Sequence, residues 1–188
     1  NINNGLYPYH QKLLSRGDTL IDYPIIHIIG APRSGTTLLN QFLASCLDVG
    51  YINNLIAAFW KVPIYGIHLS EQLLNHERSS YNSTFGRTKN ITEPHEFGYF
   101  WNYWLKYTDF LEKDKSHESM ISWEEIKFIL DNMTNTFNKS MVFKSFLLGF
   151  HAEKMFKTMP KTIFIFIKRD LVSNANSLLK FRKDVFGT

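Results

Sequence analysis

Residues 24–37 read PIIHIIGAPRSGTT, a short apolar run followed by a glycine-containing turn. The apolar, mostly β-branched residues 24–29 predict a strand, because such side chains favour extended structure. The helical spacing of the apolar residues that follow predicts a helix from Thr36 to Leu47. This stretch therefore predicts a strand, a turn and a helix in that order, which is the unit from which parallel α/β sheets are built.

Strands and helices also alternate in the remainder of the chain. We predict a short helical segment around Tyr9–Leu14, helices over Pro94–Leu111, Ser122–Phe137, Gly149–Met159 and from Asp170 to about Phe181, and strands over Met141–Phe143 and Thr162–Ile167. Thr162–Ile167 is continuously apolar, which is typical of a strand buried on both faces. The stretch from about 66 to 92 is polar and is predicted to end in a loop. The alternation predicts an α/β fold with a mainly parallel sheet.

The composition narrows the class of protein. Hydrophobic residues make up 44% of the 188 residues, which is enough for a sizeable core and excludes a disordered chain. The 21 basic and 17 acidic residues give a net charge of +4, which suits an anionic ligand but is too small to indicate nucleic acid. A single cysteine, Cys46, excludes an internal disulfide framework and a cysteine-based zinc site.

The hydropathy pattern bears on location and domain organisation. No apolar run approaches the roughly 18 residues of a membrane span, and no signal peptide opens the chain. We therefore expect a cytoplasmic protein, with any targeting segment lying outside this chain. The sequence shows no internal domain boundary, so we expect one domain over residues 1–188, truncated at its C-terminus.

The turn after the first strand has the glycine spacing of a nucleotide P-loop, G-x-x-x-x-G-x-[ST]. Glycines let the backbone wrap a phosphate, and the N–H groups at the following helix start point at its oxygens. Thr36 stands where the phosphate-binding lysine of a P-loop belongs. The loop instead offers Arg33, a fixed cation that can donate two parallel hydrogen bonds, with the hydroxyls of Ser34, Thr36 and Thr37. The alternative is an ordinary strand-to-helix turn.

The complete loop resembles the 5′-phosphosulfate loop of sulfotransferases, enzymes that use 3′-phosphoadenosine 5′-phosphosulfate (PAPS). Its form is similar to that of the tyrosylprotein and bacterial sulfotransferases. The resemblance implies a P-loop-NTPase-like three-layer fold, with a mainly parallel central sheet flanked by helices. It also implies that the sulfate end of PAPS binds Pro32, Arg33, Ser34, Gly35, Thr36 and Thr37.

Two later segments extend the resemblance. Arg169 follows the strand predicted at 162–167, and Ser177 lies eight residues later, which resembles the family's 3′-phosphate site. Ser173, one turn before Ser177, could assist. Lys144 resembles the family's strand-end lysine, which reaches the bridging oxygen of the leaving phosphate. Alternatively, Arg169 forms a salt bridge with a neighbouring carboxylate, and Lys144 is a solvated surface residue. The segment departs from the family in one position: the family usually has Asp-Pro after the arginine, whereas here Asp170 is followed by Leu171.

The catalytic base is where the sequence departs from the family. Similar enzymes place a glutamate downstream of the loop arginine, but residues 51–54 read YINN, and asparagine cannot accept the proton. The best substitute is the compact cluster of Glu93, His95 and Glu96 at the start of the predicted aromatic helix, and the sequence does not rank its members. The alternative is helix-start chemistry, with Pro94 at the first helical position and an acidic residue in the first turn.

The resemblance implies a PAPS-dependent sulfotransferase that transfers a sulfuryl group to a hydroxyl acceptor, whether carbohydrate, lipid or protein. Arg33 and Lys144 would neutralise the charge that develops during transfer. The histidines show no zinc-type spacing, so we expect no metal, and we expect no nucleic-acid partner. Two alternatives stay open: a nucleotide kinase or NTPase, and a nucleotide-binding pseudoenzyme. The sequence does not indicate an oligomeric state.

Overall fold

The computed structural model describes residues 2–14, 21–74, 80–107 and 115–187. Its elements, in chain order, are α1 (Ile2–Leu13), β1 (Ile25–Gly30), α2 (Thr36–Cys46), β2 (Gly50–Tyr51), α3 (Asn54–Ala58), α4 (Pro63–Leu73), α5 (Gly98–Trp104), α6 (Lys115–Ser119), α7 (Trp123–Phe137), β3 (Met141–Lys144), a 3-10 helix (Leu147–Phe150), α8 (Ala152–Thr158), β4 (Ile163–Ile167) and α9 (Leu171–Phe186).

The strands form one four-stranded parallel sheet in the order β2-β3-β1-β4, flanked by helices. This confirms the predicted α/β class and the parallel sheet. The register pairs Ile28 with Lys144 and Gly30 with Ile167. Strands β1, β3 and β4 therefore end at the same edge of the sheet. Open α/β sheets bind ligands at this carboxyl edge, because the connecting loops and the helix N-termini converge there.

The centre of the sheet carries a buried histidine on β1. The His27 ring stacks between Phe143 and Phe164, with centroids 5.4 and 5.7 Å away, and the Trp101 ring of α5 meets it edge-on. Neither ring nitrogen has a hydrogen-bond partner among the described residues. Burial lowers the pKa of His27 to about 3, so the ring is neutral. The sheet core thus holds an imidazole in place of an apolar ring.

Several predicted elements are confirmed with small changes at their ends. The strand predicted at 24–29 is β1, and the helix predicted at 36–47 is α2. Helix α7 matches its predicted range, and the Ser122 side chain accepts a hydrogen bond from the Glu125 N–H. The last helix continues to Phe186 rather than ending near Phe181. The helix predicted at 149–159 is shorter, because a 3-10 turn precedes α8.

Two corrections concern the middle of the chain. The polar stretch predicted from residue 66 begins inside α4, which buries Ile64 and Ile67. The helix predicted from Pro94 begins only at Gly98, because Pro94 pairs with Asn53 in an antiparallel bridge and Phe97 adopts a left-handed φ of 59°. The end predicted for that helix, at residue 111, lies outside the described residues.

The prediction that the last strand is buried on both faces was wrong. Strand β4 is an edge strand of the sheet, and Ile163 and Phe166 are 50% and 67% exposed. The following helix, α9, has no buried residue. A continuous apolar run does not distinguish a central strand from an edge strand, because neighbouring elements set its burial. Strand β2 and helices α3 and α6 were not predicted; they are only two to five residues long.

Candidate active site

The loop between β1 and α2 is shaped by close backbone approaches. A Cβ atom on Gly30 would lie 2.8 Å from the Ile167 carbonyl oxygen, so only glycine fits there. Arg33 and Gly35 both have positive φ, of 68° and 104°. Gly35 is the N-cap of α2 and has no side chain to occupy the first N–H groups of the helix. The buried Ser34 hydroxyl has no partner among the described residues. These donors are therefore available to an anion.

The loop is joined directly to the segment after β4. The Arg33 Nε donates to the Ser177 hydroxyl at 3.2 Å, and an Arg169 Nη donates to the Arg33 carbonyl oxygen at 2.7 Å. The Asn174 amide donates to the Pro32 carbonyl oxygen at 2.9 Å. The two predicted anion sites are separated by about 140 residues of sequence, yet they touch in the folded chain.

A cavity of about 500 Å³ opens beside these contacts, and we call it the loop cavity. Its lining includes predicted site residues, namely Pro32, Arg33, Gly35, Thr36, Thr37, Glu96, Lys144 and Arg169. Its lining also includes residues that were not predicted, among them Phe85, Arg87, Leu178 and Phe181. The charged lining residues are Arg33, Arg87, Lys144 and Arg169 against Glu96 alone, so the cavity suits a multiply charged anion.

Lys144 lies at the end of β3, where the sheet places it next to the loop. The residue is only 8% exposed. Its Nζ donates to the Thr37 hydroxyl at 3.0 Å and to a Glu96 carboxylate oxygen at 3.1 Å. Lys144 is therefore not a solvated surface residue. The positive charge that Thr36 does not supply comes to the loop from the neighbouring strand.

A second cavity of about 520 Å³ adjoins the first, and we call it the outer cavity. The two cavities share four lining residues: Gly86, Arg87, Glu96 and Phe146. The rest of the outer lining is polar and aromatic, and includes Asn54, Thr88, His95, Tyr99, Asn102 and Ser145. Glu96 thus stands at the junction of two adjoining spaces, one cationic and one of mixed polarity.

Residues 24–187 match the family model described as "Sulfotransferase family". The chain belongs to the sulfotransferase family. The matched range includes the loop, Lys144, Arg169 and both cavities. No curated protein and no solved structure gave a significant match.

Two further features of this sulfotransferase concern the part of the chain that the structure describes. No group of three or more His, Cys, Asp or Glu side chains there could hold a metal ion. None of the helices in the same ranges is both long and apolar enough to cross a membrane.

Glu93, one of the three predicted base candidates, lines neither cavity of the sulfotransferase. It is 2% exposed, and its carboxylate accepts hydrogen bonds from the Gln41 side chain at 3.0 Å and from the Ser80 N–H. These bonds tie α2 to the segment before α5. Its position indicates a structural role in this enzyme.

His95 lines the outer cavity, but its tautomer limits what it can do. The Phe97 N–H donates to His95 Nδ1 at 2.8 Å, so the proton of the neutral ring is on Nε2. Burial lowers the pKa of His95; the carboxylate of Glu96 opposes this shift, and the ammonium of Lys144 adds to it. A neutral ring in this tautomer donates a hydrogen bond from Nε2 and has no free lone pair with which to take a proton.

Two other residues considered in the sequence analysis lie outside both cavities. Asn53, near the position where similar sulfotransferases carry a glutamate, accepts from the Ile56 N–H and donates to the Ser70 hydroxyl. Ser173 donates its N–H to the Asp170 carboxylate at the start of α9, and this bonding lowers the pKa of Asp170. Asn53 and Ser173 do not line either cavity.

A tight hairpin, residues 84–87, covers the loop and was missed by the sequence reasoning. The Phe85 ring lies 5.5 Å from the Arg33 guanidinium carbon and 5.2 Å from the Phe181 ring. A Cβ on Gly86 would lie 3.3 Å from the Thr37 hydroxyl oxygen. The phenylalanine–glycine pair in a polar stretch was the available signal, since consecutive positive φ values favour glycine. The contacts of Phe85 with Arg33 and of Gly86 with Thr37 join residues far apart in the chain, so no local sequence pattern indicates them.

Proposed function

We propose that this sulfotransferase uses PAPS as donor and a hydroxyl compound as acceptor. The observation that carries the proposal is the contact of Arg33 with both Ser177 and Arg169 beside one cationic cavity. A donor with a phosphosulfate at one end of its ribose and a phosphate at the other needs two neighbouring anion sites. If Arg33 and Arg169 lay far apart, they could not bind the two ends of one such donor.

The residues present fit this donor. The uncapped N-terminus of α2 and the Ser34 hydroxyl offer donors for the phosphosulfate, and Arg169 with Ser177 offers donors for the 3′-phosphate. A volume of about 500 Å³ is in the range of nucleotide-sized pockets. When bound, PAPS supplies the sulfuryl group, and 3′-phosphoadenosine 5′-phosphate (PAP) is the product that leaves.

Arg33 and Lys144 would act on the charge that develops during transfer. Both line the loop cavity, and Lys144 is already held by Thr37 at the start of α2. Fixed cations in a largely buried position stabilise developing negative charge more than cations in water do. Lys144 would serve the leaving phosphate oxygen, and Arg33 the sulfuryl oxygens.

Glu96 is our candidate for the general base. It is the carboxylate at the junction of the two cavities, so an acceptor hydroxyl in the outer cavity can face the donor side across it. The proton of that hydroxyl would pass to a Glu96 carboxylate oxygen as the oxygen attacks sulfur. The Lys144 ammonium, 3.1 Å from that carboxylate, orients it by donating a hydrogen bond. His95 Nε2–H would hold the acceptor by donating a hydrogen bond.

Calorimetry and a turnover assay test the proposal together. We expect PAP to bind without a metal ion and more tightly than adenosine 5′-monophosphate, because the second anion site would be filled. Preferential binding of ATP with magnesium would instead support a kinase or NTPase. Binding of PAP with no release of PAP from PAPS in the presence of any hydroxyl acceptor would support a pseudoenzyme.

A further inference from the structure

Arg87 lines both cavities, and its positive charge has no role in the donor binding or the proton transfer proposed above. It is exposed, and no salt bridge among the described residues includes it. The donor side already has Arg33, Lys144 and Arg169 on the loop cavity. An additional cation facing the outer cavity implies that a negative charge is recognised there.

The backbone around Arg87 fixes its place. The Thr84 N–H donates to the Arg87 carbonyl oxygen at 2.9 Å, and the Arg87 N–H donates back to Thr84 at 3.0 Å. Phe85 and Gly86 make the turn with φ values of 54° and 87°. A two-residue turn with both φ values positive is the tight hairpin form. Arg87 is therefore held at the base of a closed hairpin.

The next residue, Thr88, ties this hairpin to the segment that carries the base. Its hydroxyl donates to the Pro94 carbonyl oxygen at 3.0 Å and accepts from the Asn54 amide at 3.1 Å. Pro94 lies two residues before Glu96. The Arg87 cation and the Glu96 carboxylate are thus linked through short backbone stretches on one side of the outer cavity.

The rest of the outer cavity suits a sugar ring. Tyr99 is 72% exposed there and offers an aromatic face to the C–H groups of a pyranose. The Asn102 side chain and His95 Nε2–H offer polar groups to ring hydroxyls. A volume of about 520 Å³ accommodates one or two sugar rings.

Resting on the proposed function, we propose that the acceptor is an acidic glycoside whose carboxylate or sulfate pairs with Arg87 while a ring hydroxyl faces Glu96. Arg87 is then the residue that selects charged over neutral acceptors. A guanidinium can donate two parallel hydrogen bonds to a carboxylate, which fixes the orientation of the ring as well as adding affinity.

The test compares two acceptors that differ only at C6 of the sugar: phenyl β-glucuronide carries a carboxylate there, and phenyl β-glucoside carries a hydroxymethyl group. Transfer is scored only at the ring hydroxyls that the two compounds share. We expect the wild-type enzyme to prefer the glucuronide in kcat/KM. Arg87→Gln should reduce that preference by about ten- to a hundredfold, the loss typical of one charge-assisted contact. Lys89→Ala is the matched control: Lys89 is an exposed cation two residues along that lines neither cavity, and the preference should persist.

Three results would overturn the assignment of Arg87: a wild-type preference for the glucoside, better turnover of an acidic tyrosine-containing peptide than of the glucuronide, or an Arg87→Gln variant that keeps the wild-type preference. A loss of PAP affinity in Arg87→Gln as large as its loss of selectivity would move Arg87 to the donor site. These failures differ from failure of the proposed function, which would appear as absent PAP binding in the wild-type protein. If turnover is too slow to measure, calorimetry of phenyl β-glucuronide with the PAP-loaded wild-type and Arg87→Gln proteins gives the same comparison.

Discussion

Replacing Glu96 by Gln is the most direct test of the proposed base. The substitution keeps the size of the side chain and can still accept a hydrogen bond from Lys144, but an amide does not take the acceptor proton. A positioned general base contributes about 10²–10⁴-fold to a rate. We therefore expect kcat to fall by about that factor. PAP affinity should change little, because the donor contacts of Arg33 and Arg169 lie elsewhere in the loop cavity.

Glu93→Gln is the matched control, because Glu93 is the same residue type three positions earlier and is buried away from both cavities. The Gln41 amide and the Ser80 N–H each donate a hydrogen bond to its carboxylate. A Gln side chain offers one acceptor and one donor group, so one bond is weakened or lost. Loss of a hydrogen bond to a buried charge costs about 1.5–3 kcal/mol. In a domain of this size, that corresponds to about 3–12 °C in Tm.

Three measurements on each variant separate the two roles: PAP release from PAPS at saturating acceptor, PAP affinity by calorimetry, and Tm. We expect Glu96→Gln to lower kcat with an unchanged Tm, and Glu93→Gln to lower Tm with a nearly unchanged kcat. A Glu96→Gln enzyme that keeps more than about a tenth of the wild-type kcat would refute the assignment of Glu96 as base. So would a Glu93→Gln enzyme that is as slow as Glu96→Gln at an unchanged Tm.

Arg33→Ala should lower kcat by at least about 10²-fold with Tm nearly unchanged, and Arg33→Lys should also be slow, because a point charge does not reproduce the planar guanidinium; normal turnover in either variant contradicts the role of the loop. Arg169→Ala should weaken PAP binding by about ten- to a hundredfold and adenosine 5′-monophosphate binding much less; equal losses in calorimetry would place the 3′-phosphate elsewhere. His27→Phe should stabilise the protein increasingly below pH 6.5: the folded pKa of about 3 lies below the unfolded value of about 6.5, so the wild type loses roughly 1.4 kcal/mol per pH unit as pH falls through that window. Denaturant melts at pH 7 and pH 5 measure the His27 effect, and a stability difference between variant and wild type that is the same at both pH values would contradict it.

The parts of the fold that local sequence determines were predictable. Strand β1, its loop and α2 are adjacent in the chain, and their hydrophobic spacing and glycines specify them without reference to other segments. The same holds for α7, whose start at Ser122 is a local hydrogen bond. The loop and Arg169 lie close together because of the topology, since parallel strands end at one edge of the sheet.

The parts set by distant contacts were not predictable. Pro94 was interpreted as a helix start, but its pairing with Asn53 keeps that segment extended until Phe97 turns it into α5. The sequence could not rank Glu93 against Glu96, because the difference lies in what each side chain meets: Gln41 in one case and Lys144 in the other. Partners so far apart in the chain leave no periodic signal.

Helix α9 has no buried residue, and the loop at Pro32 and Arg33 is joined to it by hydrogen bonds of its Asn174 and Ser177 and of Arg169, which lies two residues before the helix. Its stability therefore depends more on the shape of that loop than on apolar packing. An anion that orders the loop should slow amide hydrogen exchange along the whole helix, while α7, which is held by buried side chains, should exchange at an unchanged rate. Exchange along α9 would then report occupancy of the site from outside it, without any probe on the ligand.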